Sequence, residues 1–339
     1  MQKARRRPII HPLAINSLRH CLRVCRRGGG IDPGYRIHAA SLLALPMLLA
    51  PLRAVERLWF GRRVRATDIA HPPLFIVGHW RTGTTHLHNL LAQDPGLAFV
   101  STFQTLSPAS FLTGLSTLRP LIARHVPDTR HMDNMPLSVD SPQEEEFALC
   151  NLTPYSFYVG WYFPRQMREL FHNYVLFDGA SSQAREEWAE VYLGVLKKAT
   201  LRARGKRLVL KNPVNTGRIR ALLDLFPDAK FIHIYRSPYR VFKSTQRLHR
   251  TTFDMVGLQD IADGEIERNV LDFYRALMTR FFEDKALIPE GNLVELRFED
   301  LEHRPMEELA RLYDELALPG WAAAYPRIRA YLDAQPPYK

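Results

Sequence analysis

Cysteine is scarce in this chain of 339 residues: Cys21, Cys25 and Cys150 are the only three. So few argue against a disulfide framework and point to a reducing compartment. Cys21 and Cys25 stand i, i+4 on one helical face, but His20 beside them does not complete a metal-ligand set, so they read as small apolar residues of a helix. A membrane-spanning run is missing too. The most apolar stretch, 39–52, has 14 residues and contains Pro46 and Pro51, whereas a span needs about 20 uninterrupted apolar residues. Nearly forty residues precede that stretch and no small-residue cleavage site follows, which argues against a secretory signal. Repeats and low-complexity segments are absent. With 46% apolar and 24% charged residues, collagen and wholesale disorder are excluded.

Net charge is absent from most of the chain. Residues 1–65 hold 14 Lys/Arg against Asp32 and Glu56, while the remaining 274 hold 32 basic and 33 acidic side chains. The formal charge of +11 therefore belongs to an N-terminal arm, and no nucleic-acid partner is expected of the main domain. Arg5, Arg6, Arg7, Arg19, Arg23, Arg26, Arg27, Arg53, Arg57, Arg62 and Arg63 flank the apolar stretch. Two readings stand side by side: an interfacial helix on an anionic membrane surface, or a solvated basic tail leading to a helix packed on the domain. The expected location is cytoplasmic, peripheral on the inner face of the membrane if the first reading holds.

From residue 70 the pattern alternates. Short apolar runs at 74–77, 207–210, 231–234 and 292–297 read as strands, and the stretches beginning at Thr84, 216–226, 239–250 and 305–316 read as helices. Buried strands alternating with helices predict an α/β domain over 70–339, its parallel sheet flanked by helices. Between the first two strands lies a helical insertion, 104–204, expected on the acceptor side. A basic, partly apolar helical arm, 1–65, precedes the domain.

The first strand runs into GHWRTGTT, residues 78–85. Against the phosphate-loop pattern G-x-x-x-x-G-K-[ST], only the lysine is missing, replaced by Thr84. A strand before and a helix after are the right context, since such a loop aims backbone N–H groups and the helix dipole at an anion. A nucleoside triphosphatase would also need a strand-end Asp for Mg²⁺, but the later strands end in Lys211 and Arg236. The expected ligand is a less charged group held without metal, with Arg81 supplying the cation.

The third strand continues as FIHIYRSPYRVFKS. Arg236 sits at its carboxyl end, where open parallel sheets bind ligands, and Ser244 lies two turns into the next helix. Together they suit a second phosphate. At these residues the chain resembles the sulfotransferases that use 3′-phosphoadenosine 5′-phosphosulfate (PAPS), its large bacterial branch above all. GHWRTGTTHLHNLL is similar to their 5′-phosphosulfate loop, and IYRSPYRVFKS to their 3′-phosphate element. DSPQEEEFAL, KNP, FPDAKFIHIYR and VELRFEDL extend the resemblance from Pro72 to Tyr331. It implies a P-loop NTPase-like sulfotransferase fold and metal-independent, in-line transfer of a sulfuryl group from PAPS to a hydroxyl or amine. Carried over, Arg81, Thr82, Gly83, Thr84 and Thr85 bind the phosphosulfate, Arg236 and Ser244 bind the 3′ phosphate, and Arg81 stabilises the leaving oxygen. Lys211 is either a further cation near the transferred group or a strand-end salt bridge. The other classes weighed are a P-loop phosphotransferase and a non-catalytic, membrane-associated nucleotide-binding protein.

An acceptor hydroxyl must lose a proton, so a base is expected within reach. Relatives place a glutamate shortly after the first helix, but VSTFQTLSP offers no carboxylate there. The nearest acids are Glu144, Glu145 and Glu146, in SPQEEEF. Ser141 with Glu144 has the form of a capping box, so the cluster reads either as the base or as a solvated helix start. Glu144 and Glu146 are preferred over Glu145, with His79 as the alternative. Residues 147–177 hold ten aromatics, which read as core packing or as a wall for a small-molecule, lipid or carbohydrate acceptor.

Overall fold

Five short strands form the centre of the computed structural model, which describes residues 11–130 and 135–335; Arg5, Arg6 and Arg7 of the basic arm lie outside the described residues. The strands are β1 (Leu74–Val77), β2 (Leu97–Ala98), β3 (Arg207–Lys211), β4 (Lys230–Tyr235) and β5 (Leu293–Arg297). Their order is β2-β3-β1-β4-β5, with every pairing parallel. The sequence predicts four of them. Strand β2 escapes because it is two residues long, Leu97 beside Arg207 and Ala98 beside Leu208, too short for a hydrophobic run.

Successive side chains of a strand point to opposite faces, and both faces are covered. Phe75, Val77, Leu208, Leu210 and Phe231 pack with Trp188, Tyr192 and Leu196 of the helix Ser182–Arg202 and with Phe281. Leu74, Ile76, Val209, Ile232 and Ile234 face Leu87, Leu90 and Leu91 of the helix Thr84–Leu91, and Leu309 and Leu312 of the helix Pro305–Glu315. The helix predicted over 216–226 is split. Asn212 caps the N–H of Val214 at 3.1 Å, a 3-10 turn runs over Pro213–Gly217, and the α-helix spans Ile219–Leu225.

Nine of the ten aromatics in 147–177 are buried, and most of them form one core cluster with the long helices Pro238–Val256 and Asp263–Asp284. That decides for packing over an acceptor wall. Half of the arm belongs to the same core. Leu13, Ala14, Cys21 and Val24 are fully buried in it. His20 Nε2 lies 2.8 Å from the Cys150 carbonyl, and Arg23 makes a paired ion pair with Glu187 at 3.0 Å. Gly28 passes so close to Phe163 that a Cβ would stand 2.2 Å from the ring. Residues 11–35 are thus integral to the domain. The apolar stretch divides: Ala39, Leu42 and Pro46 are buried, whereas Leu43, Met47 and Leu48 face outward. Among the described residues no helix is long and apolar enough to cross a membrane.

Candidate active site

Strand β1 is wholly buried, and the chain leaves its carboxyl end through residues 78–85. Two glycines there are obligatory. Gly78 has φ +143°, and a Cβ would stand 2.3 Å from the Ile234 carbonyl oxygen on β4. Gly83 has φ +97°, and a Cβ would fall 2.0 Å from the ring of Phe298. Arg81 also takes a left-handed conformation, φ +72°, which costs a non-glycine residue ~1–2 kcal/mol and so has to be held by its surroundings. The holding contacts are local and tertiary. Thr82 donates its hydroxyl to the His79 carbonyl at 2.8 Å. Thr216 binds both the N–H and the carbonyl of Gly78, at 2.8 and 3.0 Å. Thr84 then opens the helix, as the pattern requires of a loop ending on free N–H groups.

The second predicted element is adjacent. Val77 of β1 pairs with His233 of β4, so the loop and Arg236 emerge at the same end of neighbouring strands. Arg81 Nε donates to Ser244 Oγ at 2.8 Å. The guanidinium of Arg236 lies 4.1 Å over the ring of Phe298, and its Nε is buried without a hydrogen-bond partner. Phe298 therefore touches both elements, filling the space that a glycine leaves at 83 and supporting Arg236. Sequence reasoning had no means to find it, because β5 and its following helix meet the loop only in three dimensions.

The three glutamates part company. Glu144 is bonded by Lys211 and by the hydroxyl of Tyr158, which itself accepts from Trp80 Nε1 at 3.1 Å. Lys211 Nζ also donates to Thr85 Oγ1 at 3.2 Å, and Arg130 reaches the same hydroxyl at 3.0 Å. Lys211 is thus both the strand-end salt bridge and the cation beside the loop. Burial lowers its pKa, and the Glu144 carboxylate opposes that shift. Glu146 does not belong with Glu144. It is fully buried and takes Arg218 at 2.6 and 3.0 Å, Ser156 Oγ at 2.7 Å, Asn212 Nδ2 at 3.0 Å and the N–H of Phe157 at 3.2 Å. With five donors on two oxygens it is a structural anion, and the expectation of Glu146 as base is corrected. The capping box at Ser141 is not formed either: the helix is Glu146–Cys150, and Ser141 instead accepts from the Ser138 N–H at 2.9 Å. The capping box that does form is Ser101 with Gln104.

His79 is also corrected as a base. Its ring is buried against Trp80 and Tyr274, Nδ1 sits 2.9 Å from the Trp80 carbonyl, and burial lowers its pKa to about 4. Burial and the low basicity that follows from it both weigh against a proton-accepting role.

Glu145 carries a different consequence. It accepts from Asn215 at 2.7 Å and Tyr192 at 3.0 Å, its second oxygen has no partner, and burial raises its pKa from 4.5 to about 7. Between those two pH values the folded chain holds a proton that the unfolded chain has lost, so stability falls as pH rises through the window. Glu145→Gln keeps an acceptor and cannot ionise. It is expected to flatten that fall and to exceed the parent at pH 8 by up to about 3 kcal/mol. Denaturant unfolding at pH 5 and pH 8 measures it; parallel profiles for the two proteins would rule out a protonated Glu145.

Residues 72–323 match the model of the sulfotransferase family. The omega-hydroxy-beta-dihydromenaquinone-9 sulfotransferases Stf3 of Mycobacterium bovis and of Mycobacterium tuberculosis are each 37% identical over 305 residues, covering 90% of this chain and 78% of each relative. Among solved structures, sulfotransferase STF9 from Mycobacterium avium superimposes with a TM-score of 0.66 at 22% identity, covering 94% of this chain and 88% of that one. STF1 from Mycobacterium tuberculosis gives 0.65 at 17% identity, covering 92% and 85%. The last two speak for the fold, a parallel sheet of the P-loop-like kind, and the first two for the chemistry. With a glycine-framed loop and an arginine-serine element meeting at one sheet end, the chain belongs to the sulfotransferase family and is an enzyme of that class.

Proposed function

We propose that the enzyme transfers a sulfuryl group from PAPS to a hydroxyl of a lipid acceptor. One observation carries the donor: Arg81 bonds Ser244 where β1 and β4 end side by side, and Arg236 leaves that same end of β4 with its Nε buried and unpartnered. A buried guanidinium N–H without an acceptor is costly, and a phosphate oxygen supplies one. Gly78 and Gly83 let the loop turn tightly against the Ile234 carbonyl and the Phe298 ring, which sets the loop beside Arg236. These features suit a nucleotide phosphorylated at two positions.

In this reading Arg236 and Ser244 take the 3′ phosphate, while Thr82, Gly83, Thr84, Thr85 and Arg81 take the 5′ end. PAPS supplies the activated sulfuryl group; the chain supplies position, charge and a proton acceptor. Arg81 gives up its bond to Ser244 and turns to the leaving oxygen, where a guanidinium stabilises developing charge. Lys211, held between Thr85 and Glu144, adds a second positive group. Glu144 receives the acceptor's proton. Of the three carboxylates it alone has an accessible side chain, 10% exposed, and it alone is linked to the loop. A lipid acceptor is favoured because relatives 37% identical are named for a dihydromenaquinone derivative; a carbohydrate or other small hydroxyl compound is the second choice.

Thermal shift with adenosine 3′,5′-bisphosphate tests the donor site. Stabilisation without added metal is expected, and Arg236→Ala should weaken binding by ~10–100-fold, the value of a charge-assisted hydrogen bond. Stabilisation by ATP with Mg²⁺ and none by the bisphosphate would refute the reading.

A further inference from the structure

The sulfotransferase reading leaves the outer side of residues 41–66 without a role. Two helices, Ser41–Leu48 and Ala50–Ala66, are joined at Leu49, whose backbone stays helical at φ −89°, ψ 0°. Their inner side is anchored. Leu42 and Pro46 are buried, and Glu56 accepts from the N–H and hydroxyl of Thr113 at 2.8 and 2.9 Å and pairs with Lys198. Thr113 and Lys198 belong to the inserted segment, so the second helix is fixed to that segment.

The outer side is apolar and uncovered. Leu43, Met47, Leu48, Leu58 and Trp59 are 54–80% exposed, and Ile37 precedes them almost wholly exposed. Ala40, Ala44 and Pro51 fill the intervals. Positions 40, 43, 44, 47 and 48 recur at three- and four-residue steps along the first helix, and Leu58 and Trp59 stand side by side on the second, so each helix shows part of this apolar side. Exposed Arg36, Arg57, Arg62, Arg63 and Arg65 accompany that face, and the one acid between 36 and 66 is the buried, paired Glu56. A patch of large exposed side chains marks an interaction surface, and the charge decides its partner. A second copy docking face to face would set five arginines against five. A bilayer of anionic lipid offers both an apolar layer and a negative plane above it.

We infer that the face formed by Leu43, Met47, Leu48, Leu58 and Trp59, with its arginine border, lies in the headgroup layer of an anionic phospholipid bilayer. The helices rest in the interface without spanning it. This inference goes beyond the donor chemistry and does not depend on it.

Flotation of the full chain with vesicles tests it. Binding is expected to phosphatidylcholine vesicles containing about one-third phosphatidylglycerol, and to fall at least ~10-fold with phosphatidylcholine alone. The triple variant Leu43→Ser, Met47→Ser, Trp59→Ser, shown by its melting curve to be folded, should lose ~10-fold or more of the binding to anionic vesicles. Arg62→Ala with Arg63→Ala should reduce binding and its sensitivity to salt. Failure of the parent to float with anionic vesicles would overturn the inference. So would a triple variant that floats as the parent does, or light scattering that shows a dimer which the triple variant dissociates.

Discussion

Glu144→Gln is expected to lower kcat by ~10²–10⁴-fold, the range a positioned proton acceptor contributes, and to leave bisphosphate affinity within about threefold. The split follows from geometry. Glu144 meets the loop through Lys211 and Thr85 and makes no bond to Arg236 or Ser244, the groups assigned to the far phosphate. A glutamine still accepts from Lys211 but takes no proton. Glu145→Gln serves as the control, with turnover near that of the parent, because its partners are Tyr192 and Asn215 in the core. Steady-state kinetics alongside bisphosphate titration decides the matter. Normal turnover in Glu144→Gln would remove it as base, and equal losses in turnover and affinity would make it a positioning residue of the donor site.

The largest loss of stability is expected from Arg218→Met. Its side chain is fully buried, with Nη1 and Nη2 on Glu146, Nε on the Tyr174 carbonyl at 2.7 Å and the guanidinium 5.1 Å over the Trp188 ring. Removing it leaves the Glu146 carboxylate charged in the core, which costs ~3–5 kcal/mol. Combining it with Glu146→Gln should recover a substantial part, because the uncompensated charge then disappears. Urea unfolding of the parent, both single variants and the pair gives the coupling directly. An Arg218→Met protein within about 1 kcal/mol of the parent would show that Glu146 finds other compensation.

Three adjacent residues thus have three roles, and their sequence could not distinguish them. Glu144, Glu145 and Glu146 share composition and local context, and the expected capping box at Ser141 rested on local context alone. Each turns a different way at the start of a helix, and each partner comes from far along the chain: Lys211 from the end of β3, Tyr192 from the helix Ser182–Arg202, Arg218 from the turn beyond Pro213–Gly217. The arm is a similar case. Its arginines and apolar run were compatible with a tail or a packed helix, and packing made residues 11–35 core while leaving one side of 41–66 bare.

What the chain determined by itself was four of the five strands and the two elements proposed to hold the donor's phosphates. Those signals are local: buried strands need contiguous apolar residues, and a loop with left-handed turns pressed against β4 and Phe298 needs glycine at 78 and 83. Tertiary structure alone decided which carboxylate faces the loop, which is locked to arginine and which is held near neutrality. Ionisation and reach depend on the groups that fold around a side chain, and those groups lie tens of residues away.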